Sequence, residues 1–192
     1  MKSSFEIFGF AIVSVDGMIA DADRVMPQGL KYEADHLFFD EALSRVDLLL
    51  HGRHSHEGHS ASDRRRRFWL TRSVADLAPD PAGGRQWLWN PDGVSLEDAC
   101  RSVGLERGVV AVLGGTSVYD MFLPRYDVFH LSRAGQTHIP GGTPVFSGVV
   151  NGLSPQEILR QAGLEPQPAT LLDAANDVTM TRWLRRDRGP ET

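Results

Sequence analysis

The 192-residue sequence contains a single cysteine, Cys100, and this scarcity limits the classes of protein to which the chain can belong. One cysteine excludes an internal disulfide and any zinc site built from cysteine ligands, and it fits a reducing compartment. No apolar run approaches the ~20 residues that a membrane-spanning helix needs. The N-terminus lacks a small-residue cleavage site after an apolar segment. We therefore expect a soluble cytoplasmic protein with no membrane partner.

Positive charge is also in short supply, with 20 Lys and Arg against 25 Asp and Glu, a net charge of −5. This balance argues against a general nucleic-acid binder. The one basic run, Arg64–Arg67, has no interleaved aromatic residues for base stacking. A solvated loop, or one arginine that binds a substrate carboxylate, is therefore favoured over RNA binding. The ordinary proportions of apolar residues (41%) and charged residues (23%) predict a single domain over residues 1–186 with a frayed tail, 187–192.

Apolar segments that alternate with amphipathic ones predict an α/β protein whose sheet is mostly parallel in its centre. Short, continuous apolar runs are typical of strands that a sheet buries on both faces. The segment Asp21–Leu30 has no periodicity and predicts a long loop. The predicted strands are Phe5–Val15, Val46–His51, Phe68–Thr71, Gln86–Trp89, Val109–Leu113, Val128–Ser132, Thr170–Leu172 and Val178–Leu184. The predicted helices are Glu33–Arg45, Ser95–Val103 with Ser95 as its N-cap, Thr116–Leu123 and Pro155–Gln161.

The pair Gly114–Gly115 stands between a predicted strand and a predicted helix. Ligands of α/β sheets lie beyond the carboxyl ends of the strands, and a helix start offers free N–H groups to a phosphate. Two glycines let the backbone approach a pyrophosphate without a Cβ in the way. A tight strand-to-helix turn is an equal alternative. The pair does not form the G-x-G-x-x-G pattern, so a Rossmann fingerprint is not supported.

Two further strand ends carry polar or basic residues. Gly52, Arg53, His54 and Ser55 follow one predicted strand, and Thr71–Ser73 follows the next. Basic residues at such positions suit an extra phosphate, such as the 2′-phosphate that distinguishes NADPH from NADH. The alternative interpretation is a set of solvated turns.

Four histidines, His51, His54, His56 and His59, lie close together in the sequence and raise the question of a metal site. The H-E-x-x-H pattern is absent, and no cysteine is nearby. A polar surface is the favoured interpretation, and we predict no metal ion.

Asp35 is the carboxylate that attracts most interest. It falls in the first turn of the predicted helix Glu33–Arg45, with Phe39 one turn further along the same stripe. A carboxylate beside an aromatic ring in an apolar cleft tends to have a raised pKa, which suits proton transfer near neutral pH. The alternative is an ordinary acidic residue that complements the helix dipole.

Eight segments, taken in order, resemble the dihydrofolate reductase superfamily, which includes the reductase domain of riboflavin biosynthesis. They are Ala11–Ala20, Met26–Pro27, Glu33–Asp40, Leu50–Gly58, Trp69–Ser73, Leu113–Pro124, Leu131–Pro140 and Thr181–Arg186. The most specific is Leu113–Pro124 (LGGTSVYDMFLP). The resemblance covers nearly the whole chain. It implies a central, mostly parallel sheet flanked by helices, with an antiparallel C-terminal strand.

The resemblance also implies NADPH-dependent hydride transfer. The residues that it assigns to the cofactor pyrophosphate are Gly114, Gly115, Thr116, Ser117 and Val118. Those that it assigns to the 2′-phosphate and its ribose are Arg53, His54, Ser55, Thr71 and Arg72. Further cofactor contacts fall on Ala20, Gly52 and Tyr119.

For the substrate, the resemblance implies a pterin such as dihydrofolate. Asp35 would hydrogen-bond to the amino group and ring nitrogens of the pterin and favour protonation beside the hydride acceptor. Ser132 would support this carboxylate, Ala11 and Phe39 would contact the ring, and Arg65 would bind the substrate carboxylate. A homodimer is possible if the predicted strand Trp87–Trp89 exposes its tryptophans.

The sequence departs from the family pattern at several positions. Gln28 follows the Met-Pro pair where dihydrofolate reductases normally have tryptophan, and His56 replaces an aromatic or aliphatic residue. The longer loop leaves Glu33 as an alternative to Asp35. Two other functions therefore stay open: reduction of a ribosylamino-pyrimidine in riboflavin biosynthesis, and nucleotide binding without catalysis.

Overall fold

The computed structural model describes residues 4–52 and 65–186. Within these ranges the strands are β1 (Phe5–Ser14), β2 (Met18–Ala20), β3 (Leu48–Gly52), β4 (Arg66–Leu70), β5 (Leu77–Pro79), β6 (Gln86–Trp89), β7 (Gly108–Val112), β8 (Val128–Ala134), β9 (Thr143–Pro144), β10 (Leu164–Pro166), β11 (Thr170–Asp173) and β12 (Val178–Arg185). The helices are α1 (Glu33–Leu43), α2 (Leu96–Ser102), α3 (Thr116–Phe122) and α4 (Pro155–Gln161). Short 3₁₀ turns occupy Gln28–Leu30 and Ser147–Asn151.

One large sheet has the strand order β10-β12-β8-β1-β7-β3-β4-β6-β5, and β11 also pairs with β12, at Val178–Met180. The six central strands, from β8 to β6, run parallel. The pairs formed by β12 with β8, by β10 and β11 with β12, and by β5 with β6 are antiparallel. The predicted α/β class, the parallel centre and the antiparallel C-terminal strand are therefore confirmed.

The apolar composition of the central strands follows from burial on both faces of the sheet. Leu48, Leu49 and Leu50 of β3 are each fully buried, which contributes roughly 2 kcal/mol per side chain. On one face, Phe10, Leu49 and their neighbours pack beneath α1. The opposite face packs against α2, α3 and α4 in the larger core cluster.

Sequence signals at the helix ends are confirmed in part. Ser95 caps α2, because its Oγ accepts a hydrogen bond from the Asp98 N–H at 3.1 Å. Helix α1 ends at Leu43, two residues before the predicted Arg45. A turn then carries the chain to Asp47, whose carboxylate accepts the Val109 N–H at 2.8 Å.

Four short strands were absent from the sequence prediction: β2, β5, β9 and β10. Each has two or three residues and lies away from the parallel centre. A segment of this length is too short to show period-2 alternation, so its composition contains no strand signal.

The tryptophans of β6 face the interior. Trp89 is buried and donates its indole N–H to the Val94 carbonyl at 3.0 Å. Trp87 is half-buried and lies edge-on against Phe68. The exposed tryptophans on which the homodimer prediction depended are therefore not found, and the oligomeric state stays a prediction. No helix within the described ranges is both long enough and apolar enough to cross a membrane.

Candidate active site

A cleft of about 1560 Å³ opens at the carboxyl edge of the parallel strands, between α1 and α3. Its volume exceeds the 300–1,000 Å³ of ordinary small-ligand pockets, so it can hold two ligands side by side. Many residues that the sequence singled out lie on its walls: Ala11, Ala20, Asp35, Phe39, Gly52, Thr71, Arg72, Gly115, Thr116, Ser117, Val118, Tyr119 and Ser132.

One wall of the cleft is backbone, where β7 passes through Gly114 and Gly115 into α3. The Gly114–Gly115 peptide bond is cis, and the Gly114 carbonyl accepts the Gly52 N–H at 2.6 Å. Gly114 has φ +101°, and a Cβ there would lie 2.6 Å from the Tyr119 ring. Both the backbone angle and the available space therefore require glycine at this position.

The space around Gly115 differs from that around Gly114. A Cβ built on it would meet no other atom within 4 Å, so the missing side chain leaves open space in the cleft. Two hydrogen bonds hold α3 in position beside it. The Thr116 hydroxyl donates to the Pro144 carbonyl, and the Tyr119 hydroxyl donates to the Phe10 carbonyl, each at 2.5 Å. A bulky phosphate group could approach the main chain here without a steric conflict.

The next section of the cleft lies beyond the carboxyl ends of β4 and β6. Thr71 and Arg72 line it together with Asp92. The Arg72 Nε lies 3.5 Å from an Asp92 carboxylate oxygen. The Thr71 hydroxyl is paired with the Ser73 hydroxyl at 2.8 Å. Three other predicted cofactor residues, Arg53, His54 and Ser55, lie outside the described residues.

The opposite half of the cleft centres on Asp35 in the first turn of α1. Burial raises the pKa of its carboxyl group above the usual range, while a hydrogen bond from the Ser132 hydroxyl and the nearby His36 partly oppose that rise. Ser132, on β8, is only 3% exposed, so its hydroxyl is held beside the carboxylate. Glu33 is exposed at the rim of the cleft.

Aromatic rings surround this carboxylate. Phe39 lies edge-on to Phe10, with ring centroids 5.6 Å apart. His130 stacks on Phe10 at 4.7 Å and contacts Phe38 at 5.4 Å. Burial, together with the charge of Arg182, lowers the pKa of His130 to about 4, so its imidazole is neutral near pH 7. These rings form an apolar pocket wall suited to a flat aromatic ligand.

The loop Asp21–Leu30 forms the mouth of the cleft. The Asp21 carboxylate accepts the N–H groups of Asp23 and Val25, which closes a tight turn. Val25 and Met26, beyond this turn, line the cleft yet are 59% and 40% exposed. Apolar side chains in this position can cover a ligand and exclude water from it.

Three solved structures share this arrangement of elements. A protein from Shewanella sp. PV-4 designated as belonging to riboflavin biosynthesis has a TM-score of 0.64 and 18% identity, covering 94% of this chain and 99% of its own. The dihydrofolate reductase of Enterococcus faecalis, complexed with NADP(H) and RAB-propyl, has a TM-score of 0.60 and 16% identity, with coverage of 95% and 97%. The chain has the dihydrofolate reductase fold.

The third structure is a diaminohydroxyphosphoribosylaminopyrimidine deaminase/5-amino-6-(5-phosphoribosylamino)uracil reductase from Thermotoga maritima, with a TM-score of 0.60 and 15% identity. The match covers 94% of this chain but only 56% of that protein. No family model matches the sequence, and no curated protein matches it. At 15–18% identity these likenesses establish the fold predicted from the resemblance, and nothing finer.

One predicted substrate residue does not reach the cleft of this fold. Arg65 immediately precedes β4, so it lies at the amino edge of the parallel strands, opposite the cleft. The adjacent Arg66 points its guanidinium toward the carbonyls of Val103 and Gly104 at that same edge. Strand β4 begins at Arg66, two residues earlier than the predicted Phe68, so Arg66 and Arg67 belong to the strand and Arg65 stands just before it. We therefore assign Arg65 no role in the cleft.

Of the four histidines that lie close together in the sequence, only His51 falls within the described residues. His51 is fully buried on β3 and packs against Trp69 at 4.8 Å. Burial and the charge of Arg67 lower the pKa of His51 to about 3. His54, His56 and His59 lie outside the described residues. Across 4–52 and 65–186, no group of three or more His, Cys, Asp or Glu is placed to hold a metal ion.

Among the cleft residues that the sequence analysis did not assign are His130 and Asp92. His130 stands two positions before Ser132 on β8, and side chains two apart on a strand share one face. That alternation could have identified His130. Asp92 sits in an irregular turn after β6, where no local pattern predicts the direction of a side chain.

Proposed function

We propose that this protein is an NADPH-dependent oxidoreductase that transfers a hydride to a pterin such as dihydrofolate. One observation carries the proposal. The half-buried carboxylate of Asp35, held by Ser132, lies in the same cleft as the open backbone wall at Gly115. A carboxylate for the substrate and a side-chain-free wall for a dinucleotide are the two features that such a reaction needs.

The residues along the wall fit a nicotinamide dinucleotide. Gly115 leaves room for the pyrophosphate, and Thr116 and Ser117 begin α3, where main-chain N–H groups have no partner within the helix. The Val118 N–H, by contrast, donates to the Gly115 carbonyl at 2.9 Å. Thr71 and Arg72 would contact the adenosine end. When bound, the reduced nicotinamide supplies the hydride.

Asp35 would hold and orient the pterin. Its ionised carboxylate has two acceptor oxygens, which match an exocyclic amino group and an adjacent ring N–H of a pterin. Reduction of the substrate C=N bond adds a hydride at carbon and a proton at nitrogen. A carboxyl group whose pKa is raised by burial is suited to stabilise that proton on the ring.

The surrounding side chains would position the ring and keep the site dry. Phe39 and Phe10 offer a wall for one face of the ring, and Val25 and Met26 can cover the mouth. Exclusion of water strengthens the interaction between the carboxylate and the ring, because the local dielectric falls.

The test follows NADPH absorbance after the purified protein is mixed with dihydrofolate, with a no-substrate control. We expect consumption that requires dihydrofolate. Asp35→Asn should lose more than about a hundredfold in rate, equivalent to roughly 3 kcal/mol in the transition state. Glu33→Gln is the matched control, because it removes an exposed carboxylate two residues away, and it should stay within about threefold of the unchanged protein. A near-silent Asp35→Asn would contradict the role of this residue.

A second candidate is reduction of a ribosylamino-pyrimidine, as in riboflavin biosynthesis. Two structural neighbours favour it: the Shewanella protein is named for riboflavin biosynthesis, and the Thermotoga maritima protein is named as a phosphoribosylaminouracil reductase. If NADPH binds but dihydrofolate leaves it unconsumed, this pyrimidine is the next substrate to try. If neither compound is reduced while NADPH still binds, the remaining alternative, a non-catalytic nucleotide-binding member of this fold, is supported.

A further inference from the structure

The section of the cleft beyond β4 and β6 carries two opposite charges, Arg72 and Asp92. Both side chains line the cleft, and the Nε of the arginine lies 3.5 Å from a carboxylate oxygen of the aspartate. The pair is open to solvent, with exposed fractions of 87% and 73%. A pair this exposed is weak and can be separated by a ligand at little cost.

The turn that carries Asp92 is closely packed, so the main chain of this residue is held at the cleft independently of Arg72. The Asn90 side-chain oxygen accepts the Asp92 N–H at 3.1 Å, and the Asn90 amide donates to the Val74 carbonyl at 2.9 Å. Gly93 follows, and a Cβ there would lie 1.9 Å from the Ala75 carbonyl oxygen. The close packing of the two loops therefore fixes where the Asp92 side chain leaves the main chain.

A carboxylate and a guanidinium act in opposite directions on the 2′-position of the adenosine ribose of a dinucleotide. A 2′-phosphate is attracted by a guanidinium and repelled by a carboxylate. A free 2′-hydroxyl donates a hydrogen bond to a carboxylate, the arrangement by which acidic residues select NADH in other dinucleotide sites. The described charged pair at this end of the cleft sums to zero, so it does not favour the phosphorylated cofactor.

We propose that Asp92 is a specificity-determining residue that reduces the preference of this cleft for NADPH over NADH. The proposal rests on the proposed function, because it requires the cleft to bind a nicotinamide dinucleotide with its adenosine ribose beside Thr71 and Arg72. Asp92 accepts the 2′-hydroxyl of NADH and offsets the attraction of Arg72 for the 2′-phosphate of NADPH.

The test measures dissociation constants for NADPH and NADH by fluorescence titration, at low salt and without any pterin. Asp92→Asn should bind NADPH about fivefold more tightly, the size of one exposed charge interaction over several ångströms. Its affinity for NADH should stay equal or fall slightly. Arg72→Gln should weaken NADPH about fivefold and spare NADH. The changes in NADPH affinity caused by Asp92→Asn and by Arg72→Gln should both be smaller at 0.5 M salt, because exposed charges are then screened.

The control variant is Glu106→Gln, which removes one exposed negative charge at the amino edge of the sheet, far from the cleft. It separates a local effect from a change in net charge, and its affinity ratio should equal that of the unchanged protein. Calorimetric titration with 2′,5′-ADP and with 5′-AMP repeats the comparison on the adenosine half alone.

The outcomes separate the two proposals. If both dinucleotides bind and Asp92→Asn leaves their affinity ratio unchanged, the role of Asp92 is overturned while the proposed function stands. An equal shift for both cofactors also overturns it, since the effect would then be unrelated to the 2′-position. If neither dinucleotide binds the unchanged protein, the proposed function itself fails.

Discussion

The two halves of the cleft differ in whether main chain or side chains form their walls. The half at Gly52, Gly114 and Gly115 is backbone, shaped by steric requirements of the main chain. The half at Asp35 and Ser132 consists of side chains on a helix and a strand that are far apart in the sequence. A backbone wall tolerates almost any neighbouring side chain but few changes of the glycines themselves. A side-chain pocket can change its ligand through single substitutions while the fold persists.

This difference explains why structures with 15–18% identity to the chain keep the fold while their names point to different substrates. The sheet and the glycine turn impose the position of the cleft. The chemistry inside it depends on a few residues, which is the usual relation between a fold and its function.

The strongest test of the backbone half compares alanine at its two adjacent glycines. Gly114→Ala puts a Cβ 2.6 Å from the buried Tyr119 ring at a residue with φ +101°, so it should destabilise the protein by about 3 kcal/mol. Gly115→Ala has φ −74° and open space around the new Cβ, so unfolding should change by less than about 0.5 kcal/mol. Thermal or urea unfolding of the two variants measures this difference.

For NADPH binding, the informative substitution is Gly115→Ala rather than Gly114→Ala. The Cβ of Gly115→Ala would occupy the cleft, so the folded variant should bind NADPH about tenfold more weakly, a loss of roughly 1.4 kcal/mol. If Gly115→Ala binds NADPH as tightly as the unchanged protein, the dinucleotide does not approach this wall. The backbone half of the cleft would then not be the part that binds the dinucleotide.

Local sequence signals revealed much of the backbone half. The glycine pair, the buried leucines of β3 and the Ser95 cap each depend on a few adjacent residues, and the structure places them where the sequence predicted. Helix α1 could likewise be recognised from its periodicity, which brings Asp35 and Phe39 to the same cleft.

Arg65, His130 and Asp92 show where the sequence predictions fell short, each for its own reason. The family resemblance assigned Arg65 to the substrate, but a residue that precedes a parallel strand lies at the amino edge of the sheet, away from the carboxyl edge where the cleft opens. His130 and Asp92 reach the cleft through strand pairing and an irregular turn. The place of Asp92 depends on how an irregular turn packs against a neighbouring loop, so no short window of sequence contains it. The alternation along β8, by contrast, links His130 to Ser132.

The side-chain half of the cleft should make the stability of the protein depend on pH through His130. The pKa of His130 falls from 6.5 to about 4 on folding, so the unfolded state binds more protons between these values. Stability is therefore complete above pH 6.5 and declines as the pH falls toward 4. The full shift corresponds to about 3 kcal/mol, which partial exposure of the ring reduces to about 2 kcal/mol.

Urea unfolding at pH 4.5 and pH 7.5 measures this contribution. His51, whose pKa is lowered to about 3, also makes the free energy of unfolding rise with pH. His130→Phe keeps a ring against Phe10 and should flatten the pH dependence by the share of His130, leaving that of His51. An unaltered slope in His130→Phe would show that this imidazole is not the group that titrates.

The smallest expected effect concerns Ser132, which acts through Asp35 rather than on the substrate directly. Its hydroxyl stabilises the ionised carboxylate and so lowers the carboxyl pKa against the effect of burial. Ser132→Ala should remove that hydrogen bond, worth about 1 kcal/mol, and slow pterin reduction about fivefold at pH 7.

A structural role alone would lower the rate equally at every pH. Loss of the hydrogen bond instead raises the pKa of Asp35, so the acidic limb of the profile of kcat/KM against pH should move to higher pH. Ser132→Thr keeps a hydroxyl on the same face of β8 and should restore the position of that limb. NADPH affinity should be unchanged in both variants, because the wall at Gly115 does not include this residue. A matching loss of NADPH binding would mean that the two halves of the cleft are coupled rather than independent.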